Sequence, residues 1–488
     1  MTAAVTPLAP PVRASEDIVA LAVGLLLFVL GLGTFFGADL LGWAVATSTW
    51  TSVDTALAPV SKGFAALGGA GALVATYVAL LVVLGAGAAA LGLDVPRFAL
   101  RFTVVFVVAY ACWIAGSYAH FAAVTPADYR KFGIDWSLKL TAEGGYIIAL
   151  VAGLVIANVL PGFADWLKEA IRPELYIKVA IVILGAFLAV TAAEKFSLAS
   201  SLLARGVAAI VEAYLIYWAV VYYVARKWFR FNPEWAAPLA SGISICGVAA
   251  AIATGSAIRA RPVVPILVSS LVVVFAVVEV LLLPFLAQYF LSNEPLVAGA
   301  WLGLAVKTDG AAVASGSMAE ALILAKNAAQ GIQYQPGWIL GTTAAVKVFI
   351  DIFIGIWAFV LAIVWTKYIN VRQGAQDVAR AAEIWQRFPK FILGFVVTFA
   401  VTALLAGIDP GHLPKLKSAT LEANNFRVIF FLLTFFAIGV QSNFSRLWDE
   451  GVGRLVGVYA LSLFGFVIWV GLVISWIFFA GVKPPLAG

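Results

Sequence analysis

Charged residues are scarce in this chain of 488 residues, since Asp, Glu, Lys and Arg together make up only 11% of it. Soluble domains usually carry about 25% charged and about 45–50% apolar residues, whereas 63% of this chain is hydrophobic. The apolar residues form runs of about 20, the length at which a helix crosses the hydrocarbon core of a bilayer. The composition therefore excludes a soluble fold and predicts an all-α polytopic membrane protein.

Cysteine and histidine are almost missing as well. Cys112 and Cys246 both lie inside apolar runs, so we expect neither a disulfide nor a metal site with thiolate ligands. His120 and His412 are too few for a multi-histidine metal site or a relay of imidazoles. The sequence also has no P-loop and no nucleophile elbow beside a suitable histidine. We therefore expect no enzyme, no cofactor, no metal and no transport driven by ATP within this chain.

Basic residues outnumber acidic ones, giving a formal net charge of +6. They lie mainly in short loops, as on the cytoplasmic side of membrane proteins, so we do not expect a nucleic-acid partner. Two basic groups fall on one predicted side of the membrane, namely Arg226, Lys227 and Arg230, and then Lys367, Arg372, Arg380, Arg387 and Lys390. Arg259 and Arg261 are predicted on the opposite side. The balance favours an N-terminus inside the cell.

Apolar runs separated by charged residues, prolines and glycines predict about thirteen transmembrane helices. Their approximate centres are residues 29, 81, 109, 152, 184, 213, 248, 276, 308, 353, 398, 434 and 467. The loops between these runs are short, and none is long enough to hold a soluble domain. The first run, from about Ile18, is long enough to remain as a span.

Similar features recur about 150–190 residues apart within the last ten predicted spans. The Gly/Ser-interrupted segment 241–247 corresponds in order to segment 436–443, five predicted spans later. An odd number of spans reverses direction across the membrane, so this spacing indicates an inverted-topology repeat with broken helices. The predicted units are an N-terminal tail, a three-helix accessory unit and two inverted five-helix repeats, at residues 1–17, 18–143, 144–292 and 293–488.

The two interrupted segments are the first candidates for a substrate site. Irregular backbone inside a membrane is tolerated only beside protein or a water-filled cavity. A half-helix that starts there directs its free N–H groups and its positive dipole end at the cavity, which favours an anion. Close helix packing through small residues is the alternative. The candidate substrate-binding residues of these segments are Ser241, Ser244, Cys246, Gly247, Gly439, Gln441, Ser442 and Asn443.

Charged residues inside apolar runs complete the candidate site. A charge at that depth costs about 2.5–3.5 kcal/mol on insertion scales, so it usually faces a cavity or a partner. Lys307 and Thr308 are candidates for binding the substrate, and Asp309 for binding a coupling Na⁺ or a proton; a structural Lys–Asp pair is the alternative. Lys347 and Asp351 lie four residues apart on one helical face. They either neutralise each other or share in ion coupling.

Two glutamates require separate explanations. Glu279 lies between Val-rich stretches without a partner close in sequence, so it is either protonated or paired across helices, for example with Lys178. It is our fourth candidate for ion coupling. Glu212 and Arg205 lie near the end of a predicted span, where we expect them to reach the membrane interface.

Segment 244–252, with the sequence SICGVAAAI, resembles the Ile-Cys-Gly-x-(Ser/Ala)-Ala-Ile signature of the sulfate-exporter family of conserved hypothetical bacterial and archaeal membrane proteins. Supporting matches are AGAWLG at 298–303, FPKFILGF at 388–395 and FAIGV at 436–440. The resemblance covers roughly residues 144–482. It implies a fold related to the cation/proton-antiporter and bile-acid-symporter group, in which two inverted five-helix repeats carry crossing broken helices. The chain departs from the family pattern at Val248, Lys307 and Thr308, which fall in the candidate site.

These observations favour a secondary transporter of a small anion, sulfate-like by resemblance, that works by alternating access with coupling to Na⁺ or H⁺. The alternative is a Na⁺/H⁺ antiporter on the same fold, with Asp309 as the ion carrier, and a membrane scaffold or receptor is a third hypothesis. We expect a multi-pass protein in the lipid bilayer of a bacterial or archaeal inner membrane. A homodimer through the accessory helices is a further hypothesis.

Overall fold

The computed structural model describes residues 14–123, 126–138, 144–194, 205–207, 211–261, 263–352, 354–365, 390–443 and 453–486. Within these ranges the chain is almost entirely helical. The same ranges contain one antiparallel pair of strands, β1 (Val45–Thr47) and β2 (Leu57–Pro59). The predicted all-α class is confirmed.

The α-helices of the described ranges are α1 (Glu16–Leu32), α2 (Gly68–Ala90), α3 (Val95–Gly116), α4 (Ala119–Ala122), α5 (Pro126–Phe132), α6 (Gly144–Val159), α7 (Pro161–Leu167), α8 (Pro173–Glu194), α9 (Trp218–Tyr223), α10 (Pro233–Ser244), α11 (Gly247–Ala257), α12 (Val263–Leu291), α13 (Pro295–Ala305), α14 (Asp309–Ala329), α15 (Trp338–Ile352), α16 (Ile354–Val364), α17 (Lys390–Ile408), α18 (Leu413–Gln441), α19 (Gly453–Ser462) and α20 (Ile468–Phe479). Segments with π-helical hydrogen bonds flank α9 and join α19 to α20; they are Glu212–Tyr217, Val224–Trp228 and Leu463–Val467. Short 3₁₀ turns lie at Gly33–Phe36, Val53–Thr55, Lys62–Leu67 and Pro410–His412.

Eight helical segments in the described part of the chain are long and apolar enough to span a membrane. The number becomes nine if α6 and α7, which meet at an angle of 117°, are counted as one bent span. The protein is therefore a multi-pass membrane protein, as predicted, while the exact number of spans stays a prediction except at the two segments described next.

Helices α10 and α11 fold back on each other instead of crossing the membrane as one broken span. Ser241 Oγ on α10 accepts a hydrogen bond from Thr254 Oγ1 on α11 at 2.8 Å. The Arg261 N–H, beyond α11, donates to Glu234 Oε1 at the start of α10 at 2.7 Å. A straight helix rises 1.5 Å per residue, so residues 234 and 261 would otherwise lie about 40 Å apart. We call this pair of helices hairpin A; its tip is residues 245–246.

Helices α13 and α14 form a second hairpin of the same kind. Asn327 Nδ2, near the end of α14, donates to the Ser292 carbonyl just before α13 at 2.9 Å. Lys326 Nζ donates to the carbonyl of Gln288 at 2.8 Å. We call this pair hairpin B; its tip is residues 306–308. The predicted spans centred on residues 248 and 308 are therefore wrong, since each segment returns to the side from which it enters.

The two hairpins enter the membrane from opposite sides. The helix between them, α12, has 29 residues and is about 43 Å long, more than the roughly 30 Å of the hydrocarbon core. It packs against α11 of hairpin A and α14 of hairpin B. Because α12 begins at the base of hairpin A and ends at the base of hairpin B, the two bases lie on different sides.

The fold-back of hairpin A also corrects the predicted distribution of basic residues. Arg226 and Arg230 immediately precede α10, and Arg259 and Arg261 immediately follow α11. All four therefore lie on one side of the membrane, where Arg261 Nε contacts Glu234 Oε1 at 3.0 Å. The predicted conflict between these groups disappears, and the excess of basic residues favours this side as the cytoplasmic one.

Helix α18 runs from Leu413 to Gln441, so the predicted interruption at 439–443 does not begin at Gly439, and the helix ends within that segment. Gly439 instead lies against α6, where an added Cβ would be 2.3 Å from the Leu150 carbonyl oxygen. A Cβ added at Gly153 of α6 would likewise lie 2.4 Å from the Phe436 carbonyl oxygen. Here glycine serves the close packing of two continuous helices. The correspondence of segments 241–247 and 436–443 and the repeat boundaries stay predictions.

Labelling of single cysteines tests the two hairpins. Both native cysteines are buried, so the wild-type chain serves as the unlabelled control for a membrane-impermeant maleimide. We expect Lys227→Cys and Arg261→Cys to react in vesicles of one orientation, and Gln330→Cys to react only in the opposite orientation. Labelling of Lys227→Cys and Arg261→Cys from different sides would show that α10 and α11 cross the membrane.

Candidate functional site

The tips of the two hairpins meet. Gly247, the first residue of α11, has φ +43°, a conformation that favours glycine. A Cβ at this position would lie 3.2 Å from both the Lys307 carbonyl oxygen and Thr308 Cγ2, and 2.4 Å from Val272 Cγ1 of α12. Gly247 is thus needed for both its backbone conformation and its close contacts. The interrupted backbone predicted around Gly247 is confirmed, and the segment that it meets is residues 306–308.

Lys347 of α15 joins the two tips. Its Nζ donates to the carbonyl of Ile245 in hairpin A at 2.8 Å, and to those of Val306 and Lys307 in hairpin B at 3.3 Å each. These carbonyls lie at or just beyond the C-terminal ends of α10 and α13, where a positive charge is favourable. The side chain is 2% exposed. One ammonium group therefore satisfies the ends of two half-helices that enter from opposite sides.

The N-terminus of α14 lies beside this ammonium group. Thr308 is the N-cap, and its side chain accepts a hydrogen bond from the Ala311 N–H at 3.1 Å. Asp309 Oδ1 lies 3.9 Å from Lys347 Nζ. The described ion pair of Lys347 is therefore with Asp309. The side chain of Asp351 is not among those that the structure describes, so its pairing with Lys347 stays a prediction.

Lys307 is held at the tip of hairpin B by three contacts. Its ammonium group donates to the Leu304 carbonyl and lies 4.8 Å from the centre of the Tyr217 ring. Its backbone N–H donates to Glu279 Oε2 at 2.9 Å. In these contacts the Lys307 ammonium group faces the C-terminal end of α13. Its role in anion binding stays a prediction.

Glu279 does not pair with Lys178, which corrects the predicted example. Lys178 lies near the start of α8, where its Nζ contacts Asp17 at 2.8 Å and Glu174 at 3.6 Å. Glu279 lies further inside, on α12, with its carboxylate at the tip of hairpin B. The partner that sequence reasoning missed is a backbone N–H, which no residue pattern reveals.

Glu212 is buried rather than interfacial, since its side chain is 1% exposed. Glu212 lies about one helical turn before Tyr217, and it acts electrostatically on the Lys307 ammonium group. The sequence carries a signal for this burial, because Glu212 is an acidic residue within a long apolar run. The predicted interfacial position of Glu212 is therefore wrong.

A cleft leads to the N-terminus of α14 between α8, α12 and α18. It is narrow and partly open to solvent, with room for about one water molecule. Its lining residues are Pro173, Glu174, Ile177, Ala276, Thr308, Gly310, Thr434 and Ile438. The cleft thus connects the first turn of α8 with the tip of hairpin B.

The remaining predicted residues separate into two groups. In hairpin A, Ser241 Oγ accepts from Trp218 Nε1 at 2.9 Å as well as from Thr254. Ser244 is buried, and its Oγ has no hydrogen-bond partner among the described residues. Cys246 is buried at the tip and outside any disulfide. These three side chains lie at or near the meeting point of the hairpins.

The second group of residues lies at the C-terminal end of α18 and just beyond it. Ser442 Oγ donates to the Ile438 carbonyl at 2.7 Å, and Asn443 Nδ2 donates to that of Ala157 at 2.6 Å. Gln441 Nε2 donates to the Ile171 carbonyl at 3.4 Å. The structure thus joins these residues to α6 and to the segment before α8, not to the hairpin tips. Their predicted part in substrate binding has no support in these contacts.

Two opposed re-entrant hairpins with buried charges at their tips define a multi-pass membrane protein with a polar centre near the bilayer midplane. A family model described as conserved hypothetical protein 698 matches residues 135–457. The chain belongs to this family, which confirms the predicted membership in a family of conserved hypothetical bacterial and archaeal membrane proteins.

Several relatives of the chain are named as UPF0324 membrane proteins. A UPF0324 membrane protein of Nitrosomonas europaea is 38% identical over 97% of both chains, so it also covers the N-terminal helices outside the family match. A UPF0324 membrane protein of Rhodopirellula baltica is 30% identical over 74% of this chain and 59% of its own length. An uncharacterized protein of Archaeoglobus fulgidus is 45% identical over 34% of this chain and 97% of its own length. No solved structure matches the chain.

Substitution of Lys347 tests the junction of the tips. We expect Lys347→Met to lower the free energy of unfolding in mixed micelles by about 3–5 kcal/mol, because it leaves Asp309 as an uncompensated buried charge. Lys326→Met, which removes a partly exposed lysine at the base of hairpin B, should cost less than about 1 kcal/mol. Combining Lys347→Met with Asp309→Asn should recover about 0.5–3 kcal/mol relative to additivity. Equal effects of Lys347→Met and Lys326→Met would contradict the junction.

Proposed function

We propose that this protein is a secondary transporter of a small anion, with its binding site at the hairpin tips. The observation that carries the proposal is the meeting of two hairpins from opposite sides at a single ammonium group, Lys347. The described cleft reaches the tip of hairpin B from the first turn of α8. Movement of either hairpin would then open the same site to one side of the membrane, as alternating access requires.

The chemistry of the tips supports an anionic substrate. The N-termini of α11 and α14 both lie there, so free N–H groups and the positive ends of two helix dipoles converge on one region. The hydroxyl groups of Ser244 and Thr308 add donors, and Lys347 adds positive charge. The resemblance noted above suggests a sulfate-like ion.

A Na⁺/H⁺ antiporter is the second candidate, and the pair of Asp309 with Lys347 at 3.9 Å favours it. In that case Asp309 would bind the ion and the ammonium group would compete with it. The carboxylate is 5% exposed, close to the cleft through Thr308 and Gly310. A homodimer through α1–α3 and the absence of enzymatic activity stay predictions.

Thermal stability of the purified protein across a panel of anions tests the proposal. Sulfate or a related oxyanion should stabilise the wild type saturably, by about 2.7 kcal/mol at a hundredfold excess over Kd. We expect Lys307→Ala to weaken this response if its charge attracts the anion, with Lys326→Ala as the control that retains it. A response to Na⁺ or pH alone, lost in Asp309→Asn, would contradict the anion carrier and favour the antiporter.

A further inference from the structure

Five charged side chains surround the tip of hairpin B, and all are at most 5% exposed. They are Lys307, Lys347, Asp309, Glu212 and Glu279. Glu279 and Glu212 both act electrostatically on the Lys307 ammonium, as does Lys347. Among these described side chains, three carboxylates face two ammonium groups, so that full ionisation leaves one net negative charge. A net charge at this depth is costly, and one bound proton removes it.

Glu279 is distinguished among the three carboxylates by its hydrogen bond to the tip of hairpin B. Its Oε2 accepts the Lys307 backbone N–H at 2.9 Å. Its Oε1 is buried without a hydrogen-bond partner among the described residues, as are both oxygens of Glu212. Tyr459 of α19 lies near Glu279. Its ring stacks at 4.3 Å on that of Phe275, which lies one helical turn before Glu279. The Tyr459 hydroxyl also has no described partner. An enclosed oxygen is thus available to carry a proton.

We propose that Glu279 binds the coupling proton and that its ionisation controls the tip of hairpin B. The ionised carboxylate holds the Lys307 N–H by a charge-assisted hydrogen bond, and the protonated acid holds it more weakly. Binding of a proton therefore loosens hairpin B from α12, and release of the proton fixes it again. The inference rests on the proposed function, and it specifies the coupling ion as H⁺.

The surroundings of Glu279 favour a proton over Na⁺. The charged and titratable groups that act on Glu279 from the neighbouring elements are Lys307, Lys347 and Tyr459; behind them, Glu212 acts on Lys307 and Asp309 pairs with Lys347. The two ammonium groups oppose the binding of any added cation at this short range, a proton as well as Na⁺, so the difference lies in the ligands that each ion needs. A proton joins the carboxylate itself and needs no shell of further oxygen ligands.

Hydrogen–deuterium exchange at the tip tests this inference without relying on transport. The probe is H⁺ alone, applied to the full chain in lipid nanodiscs between pH 5 and pH 8, with exchange of residues 302–312 corrected for its chemical rate. In the wild type we expect the tip to open about fivefold more often at low pH, the ratio between a charge-assisted and a neutral hydrogen bond. Protection is present when Glu279 is ionised and is lost as the pH falls.

Matched glutamine variants identify the carboxylate. Glu279→Gln should make exchange at the tip independent of pH, at the level that the wild type reaches at low pH. Glu320→Gln is the control, because this buried carboxylate accepts backbone N–H bonds from Gly337, Ile339 and Leu340 beyond α14; it should keep the wild-type profile. A flat wild-type profile, an unchanged profile in Glu279→Gln, or loss of the profile in Glu212→Gln instead would overturn the assignment.

Proteoliposomes separate a failure of this inference from a failure of the proposed function. If sulfate counterflow occurs but an imposed pH gradient does not drive sulfate accumulation in the wild type, the proton site is wrong and the anion carrier stands. If sulfate neither binds nor exchanges while the tip keeps its pH dependence, the proposed substrate is wrong and the proton site stands.

Discussion

The rest of the structure depends on the contact between the Lys347 ammonium and three backbone carbonyls. A half-helix that ends inside a membrane leaves carbonyl groups that no water in the hydrocarbon region can satisfy. A lysine has three N–H donors, and Lys347 finds three acceptors, at Ile245, Val306 and Lys307. Without this group the two hairpins would bring unsatisfied carbonyls together, so the junction of the tips and the buried ammonium are one physical solution.

The remaining features of the site follow from this junction. Because α10 and α13 end there, α11 and α14 begin there, and the charges of four helix ends are concentrated in a small volume. Asp309 offsets part of the positive charge of Lys347, and Gly247 permits the close approach of the tips. The long helix α12 determines that the hairpins come from opposite sides, and it also carries Glu279 to hairpin B. Structure, charge balance and proposed coupling thus share the same few residues.

Hydropathy predicted the membrane class, the approximate positions of most helices and the polar break at 241–247. It could not distinguish a span from a hairpin, because an apolar run of about 20 residues has the same composition whether it crosses or returns. Lys307–Asp309 was therefore placed correctly at depth but within a supposed continuous span. The sequence also predicts an interruption at Gly439, which lies within α18, because glycine is used for helix packing as well as for interruption. The partners of Lys347 and Glu279 are mainly backbone groups, which leave no mark in the sequence.

Counterflow of labelled sulfate in proteoliposomes tests the central claim most directly, namely that the two hairpin tips form a carrier site for a small anion. We expect unlabelled sulfate trapped inside to drive transient accumulation of labelled sulfate, and an excess of unlabelled sulfate outside to abolish it. Liposomes without protein provide the background. Absence of counterflow for sulfate and related oxyanions, together with Na⁺ flux driven by a pH gradient, would contradict the account and show that the hairpins serve a cation instead.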